Sequence, residues 1–242
     1  MGSFIFGFIL SMLIVGATFM LSSGSWSTYV NREGLMIVLG GTMAVFFMTA
    51  KFNEMKLMMK RIRHSFFRKV SNKEIKELLI SASVMYEKGR LPENSGHPFI
   101  DKTFSWLKAG LKGDTLDRLL IEGARIEADK NFQAANILNN LSKYPPALGM
   151  IGTVFGIIGI FNGLGTEAGQ GSLGVSLGFA MTTTLYGLIV TNFMISPLAE
   201  FLTVEAELDE KELAMVVETI KLLSEKESSF FIKEHIELYN AA

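Results

Sequence analysis

No aspartate, glutamate, lysine or arginine occurs in residues 1–31, 34–50, 144–166 or 168–199. Uncharged runs of that length and apolarity do not make a water-facing surface. In a bilayer their amides can only bond within helices or closed barrels. No period-two alternation persists along the chain, so helices are predicted, and the fold class is an all-α integral membrane protein. Four apolar segments emerge: 4–21, 35–50, 146–164 and 173–199. At about 1.5 Å per residue the first approaches a ~30 Å hydrocarbon layer, the second is short, the third spans comfortably and the fourth must tilt or emerge. A cleaved secretory signal is the alternative for the first segment, but no Lys or Arg precedes its apolar core.

The 23 basic and 24 acidic residues crowd into the remainder, and their near balance (net charge −1) excludes a general polyanion binder. With no cysteine, a disulfide framework or a cysteine metal site is also excluded. After the second segment come Lys51, Lys56, Lys60, Arg61, Arg63, Arg68 and Lys69 against Glu54 alone, whereas the linker between the first two segments holds one base, Arg32. By the positive-inside rule, segment two ends in the cytoplasm. Four transmembrane helices then put both termini, a 51–143 helical loop domain and an acidic helical tail at 200–242 on that side of a bacterial inner membrane. The basic run so close to the bilayer reads as a lipid-headgroup contact, not a nucleic-acid patch.

Within the loop, Ser71-Asn72-Lys73-Glu74 has the capping-box pattern, and Ile75, Leu78, Leu79, Ala82 and Met85 follow at helical spacing, with Gly89 as terminator. Further helices are predicted over 99–111, ending at Gly113, and from Leu116 to about Ser142, where Tyr144-Pro145-Pro146 imposes a break or a bend. His64, His97 and His235 have no ligand spacing, and no cofactor, metal site or catalytic constellation is predicted. The chain reads as a non-enzyme.

The apolar segments contain no Asp, Glu, Lys, Arg or His. Proton carriers ordinarily expose one inside the membrane, so a chain of this kind that conducts needs a partner to supply it. Segment three carries Gly149, Gly152, Thr153, Gly156, Gly159 and Gly163, with Gly-x-x-x-Gly at 152–156 and 159–163. Segment four places Ser176, Ala180, Thr184, Gly187 and Thr191 along one face. Small residues let helices approach closely, and hydroxyls either bond to carbonyls of their own helix or line a polar path.

On these residues the chain resembles the flagellar stator subunit family, of the motility protein A type. The carriers are Pro146-Ala147-Leu148-Gly149-Met150-Ile151-Gly152-Thr153-Val154-Phe155-Gly156, then Thr183-Thr184-Leu185-Tyr186-Gly187 with Ser196-Pro197-Leu198-Ala199, and Val38-Leu39-Gly40-Gly41-Thr42. The resemblance implies an ion-channel subunit that couples H+ or Na+ flow to torque on the flagellar rotor. It implies five copies around two copies of a single-span, peptidoglycan-anchored partner, motility protein B-like, whose membrane Asp binds the ion.

It also implies roles for individual residues. Thr153, Thr184, Thr183 and Tyr186 would lie on the ion path, and Pro146 and Pro197 would serve conformational coupling. Gly149, Gly152, Gly156, Gly159, Gly163 and Gly187 would serve helix packing. Arg90 and Glu93 are candidates for contact with a rotor switch protein of the FliG type, although the loop around them matches the pattern only loosely. Hydroxyls at 153 and 184 suit a hard cation such as sodium and equally suit ordered water for proton transfer. A Tol/Exb-like or gliding-motor energising subunit and a non-conducting membrane scaffold are the alternatives.

Overall fold

Helix capping and chain breakers set the element order in the computed structural model, which describes residues 2–21, 29–67, 72–92, 94–164 and 169–239. In chain order the elements are α1 (Gly2–Leu21), α2 (Arg32–Leu35), a π-helical turn π1 (Met36–Gly40), α3 (Gly41–Thr49), α4 (Phe52–Phe67), α5 (Asn72–Glu87), α6 (Pro98–Lys108), α7 (Gly113–Leu141), α8 (Tyr144–Gly163), α9 (Gly169–Ile189), a second π turn π2 (Val190–Ile195), α10 (Ser196–Ser224) and α11 (Ser229–Leu238). No strand occurs among the described residues. The chain divides into two compact units, Met1–Ile62 with Gln133–Thr203, and Arg63–Phe132 with Val204–Ala242.

Among the described residues the continuous helices Arg32–Thr49, Gly113–Gly163 and Leu173–Ser224 are each long and apolar enough to cross a membrane, and they are accompanied by a shorter apolar helix, Ile5–Leu21. In the first unit apolar side chains point outward: Phe6 is 69% exposed, Phe155 55% and Val175 72%. This is the inverse of a water-soluble surface. It suits lipid or a neighbouring chain. The interior is a tight antiparallel pair, α8 against α9. A separate apolar cluster of Phe46, Ala50, Met58, Ala134, Ala135, Leu138, Ala199 and Leu202 lies nearer the helix ends.

The second unit is built like a soluble bundle. Leu79 of α5, Ile100 and Phe104 of α6, Leu116 and Leu120 of α7, Ile220 and Leu223 of α10, and Ile232 and Ile236 of α11 are all buried in one core. Gly89 ends α5 where the sequence places it: at φ 72° it lets the Arg90 amide reach back to the Met85 carbonyl at 3.0 Å. The end of the next helix differs from expectation. It stops at Lys108, with Gly110 at φ 77° as its terminator, and Gly113 instead opens α7. Ser228 caps α11 by accepting from the Phe231 amide at 3.3 Å, and the adjacent Ser229 amide donates to Glu87 Oε1 at 2.6 Å. That bond holds the Glu87 carboxyl below its usual range. The proposed Ser71 cap lies outside the described residues.

Candidate functional site

The site grows from the contact of α8 with α9. Glycines along α8 present bare backbone to α9, with partners running in opposite order along the two helices. A Cβ on Gly149 would stand 2.9 Å from the Thr183 carbonyl oxygen, and one on Gly156 would stand 2.7 Å from that of Ser176 and 2.6 Å from Ala180 Cβ. On Gly152 it would strike the Thr183 side chain at 2.5 Å, and on Gly159 it would meet Ser176 Oγ at 3.0 Å. At the opposite end of the pair the relation reverses, and Gly187 of α9 receives the Pro145 carbonyl. Close approach is therefore what five of the six predicted packing glycines supply. Gly163 is the last residue of α8, partly exposed.

That approach brings Thr153 and Thr184 face to face, their hydroxyl oxygens 2.8 Å apart and both side chains only partly buried. Thr153 Oγ1 also lies 3.0 Å from the Gly149 carbonyl oxygen, and Thr184 Oγ1 lies 3.4 Å from the carbonyls of Gly149 and Ala180. Each hydroxyl has one proton and two lone pairs. The shortest set of contacts has Thr153 donating to Gly149 and Thr184 donating to Thr153. Unused lone pairs then remain on both threonines. The pair is a small oxygen-rich surface suited to a water, a protonated donor or a hard cation.

The other predicted path residues do not join this pair. Thr183 is fully buried, packs beneath Gly152, and donates back into its own helix toward the carbonyls of Phe179 (3.0 Å) and Ala180 (2.9 Å). It packs between the helices instead of facing Thr153, because successive side chains on a helix diverge by about 100°. Tyr186 is partly buried, and its hydroxyl donates to the Tyr29 carbonyl while accepting from the Asn31 amide at 2.8 Å. It pins the segment entering α2, where Asn31 Oδ1 in turn caps the helix by accepting from Gly34 at 2.9 Å.

Pro146 sits in the first turn of α8, behind Pro145. Having no N–H, it leaves the Ser142 carbonyl without a helical donor. Thr191 of π2 fills that position, its hydroxyl donating to Ser142 O at 2.9 Å. Pro197, the second residue of α10, likewise cannot serve the Phe193 carbonyl, and the backbone before it widens into π2, with the Ser196 amide reaching five residues back to Thr191 O. Sequence reasoning placed Thr191 on the Thr184 face but gave it no partner. The missing amide at Pro146 was the signal that could have found it.

Arg90 is exposed just beyond α5. Glu93 lies outside the described residues. Elsewhere in the second unit, Asn131 donates to Asp209 Oδ2 at 3.0 Å. Burial, reinforced by Asp209 and Glu205 and opposed by Lys76, pushes the nearby Glu212 carboxyl up to about 7.

Comparison with known proteins places these features in a family. Residues 92–215 match the model of the MotA/TolQ/ExbB proton channel family. Motility protein A of Treponema pallidum is 33% identical over 111 residues, which cover 46% of this chain and 42% of that protein. The chemotaxis protein PomA of Vibrio alginolyticus is 20% identical across 97% of this chain and 90% of its own length. The fold is similar to that in the flagellar MotAB stator complex from Bacillus subtilis, with a TM-score of 0.80, 20% identity, and coverage of 95% of this chain and 92% of that one.

Proposed function

The chain belongs to the MotA/TolQ/ExbB proton channel family, and from that premise we propose that it is the ion-channel stator subunit of a flagellar motor. The Thr153–Thr184 pair carries the reading, being an oxygen-rich contact between two helices that hold no Asp, Glu, Lys, Arg or His. Such a surface can order water or strip part of a cation's shell, but it cannot store a proton. The carboxylate therefore belongs to a single-span partner of the motility protein B kind, seated against the exposed side of this pair. H+ and Na+ both suit the hydroxyls.

Four spans follow if α1 crosses beside the three longer apolar helices. The basic collar after α3 then supports a reading in which both termini and the Arg63–Phe132 and Val204–Ala242 unit lie on the cytoplasmic side of a bacterial inner membrane. Five copies around two partner copies is the arrangement we adopt. Arg90, exposed in the cytoplasmic unit, is the candidate contact for a rotor switch protein. Likeness to named motility and chemotaxis proteins supports a motor role over Tol/Exb-type energising.

The test is ion flux in liposomes holding this chain with its single-span partner. Thr184→Val and Thr153→Val keep shape and remove the hydroxyl. One hydrogen bond to a charged species is worth about 1.5–3 kcal/mol, so flux should fall roughly 10- to 100-fold, with Thr184→Ser close to wild type. Unchanged flux in both valine variants would remove the pair from the path.

A further inference from the structure

We infer that Thr191 is a positioning residue for the Thr153–Thr184 pair, its hydroxyl replacing the amide that Pro146 denies to Ser142. The inference rests on the channel reading above. The geometry forms a repeat. Thr184 Oγ1 lies 3.4 Å from Gly149 O, and Thr191 Oγ1 lies 2.9 Å from Ser142 O. Both steps are seven residues, forward along one strand of the hairpin and backward along the other, or two turns on the same face of each. The two contacts are successive rungs between the same surfaces.

The inner rung differs from the outer in its alternatives. Gly149 O has a second hydroxyl beside it, that of Thr153 at 3.0 Å. The Ser142 carbonyl has lost its helical donor to a proline ring, and Thr191 is buried, so the hydroxyl does not have bulk water as an easy substitute partner. Thr191 also lies at the first turn of π2, and its own carbonyl takes the five-residue bond from Ser196 that accommodates Pro197. One residue thus meets both proline discontinuities, with its side chain on that of Pro146 and its backbone on that of Pro197. Any change in the angle at which α8 leaves α7 must break or re-form this rung, and the same change carries Thr153 and Thr184 together relative to a partner seated against them.

A four-variant comparison on the assembled complex decides the matter, reading ion flux and amide hydrogen exchange across 138–150 together. Thr191→Val should raise exchange at the junction at least 10-fold and cut flux at least 5-fold, and Thr191→Ser should restore both. Pro146→Ala gives Ser142 its helical donor back, so adding Thr191→Val to it should change exchange by less than 2-fold. Wild-type exchange and flux in Thr191→Val would overturn the inference. So would Thr191→Ser behaving like the valine variant, or an equal effect of Thr191→Val in the Pro146→Ala background. If the wild-type complex conducts no ion, the channel reading fails by itself, and the exchange comparison still decides whether the rung exists.

Discussion

Adding a single methyl group at successive glycines of the helical hairpin measures how much of its stability rests on backbone proximity. Take Gly156→Ala first. The new Cβ would lie 2.6 Å from Ala180 Cβ and 2.7 Å from the Ser176 carbonyl oxygen. Neither is a flexible tip, so α8 and α9 must part by about 1 Å to restore ordinary contact. Overpacking of this kind costs about 3 kcal/mol at its upper end, the helix preference of alanine over glycine returns about 1, and a net loss of about 2 kcal/mol remains.

Gly159→Ala meets Ser176 Oγ at 3.0 Å, a hydroxyl free to rotate, so cost and gain should cancel to within about 0.5 kcal/mol. Gly178→Ala has nothing within 4 Å and should gain up to about 1 kcal/mol in the isolated subunit. The order of stability is then Gly156→Ala, Gly159→Ala, Gly178→Ala from weakest to strongest. Denaturant titration of the purified subunit in mild detergent, followed by helical circular dichroism, gives the three midpoints. If Gly156→Ala unfolds within 0.5 kcal/mol of Gly178→Ala, the hairpin is not held by backbone approach and the argument fails.

Two further outcomes follow from single side chains. Because the native state holds the Glu212 proton more tightly than an ordinary carboxyl of 4.5, stability should fall as pH rises from 4.5 to about 7 and level off above that. Glu212→Gln should flatten that slope, and an unchanged slope in pH-dependent unfolding would assign the burial no role. Tyr186→Phe removes the acceptor of the Asn31 amide and a donor to the Tyr29 carbonyl. A loss of about 1–2 kcal/mol is expected, with faster exchange at Asn31 and little change in α8; unaltered protection at Asn31 would contradict it.

The apolar helices and their glycine face were legible because charge-free runs and four-residue spacings are local facts. Three adjacent threonines were not resolved the same way. Thr182, Thr183 and Thr184 point in directions about 100° apart, and which one meets Thr153 depends on the rotation of α9 about its axis. Only packing fixes that rotation. Thr191 was hidden for a different reason, since its partner is a carbonyl 49 residues away whose need is created by the ring of Pro146. The end of α6 was misplaced because Gly110 and Gly113 both have positive φ, one closing a helix and the other opening the next.

The contact between α8 and α9 also has a mechanical consequence. Where backbone meets backbone through glycine, no long side chain lies between the helices to change rotamer and absorb displacement. The hairpin is therefore stiff in its middle and compliant at its ends, at Pro145–Pro146 on one helix and π2 on the other. A force applied through α7 or α10 reaches Thr153 and Thr184 as the motion of a lever, not as local repacking. The hydroxyl pair sits on the rigid arm, and the bending is confined to the two proline joints.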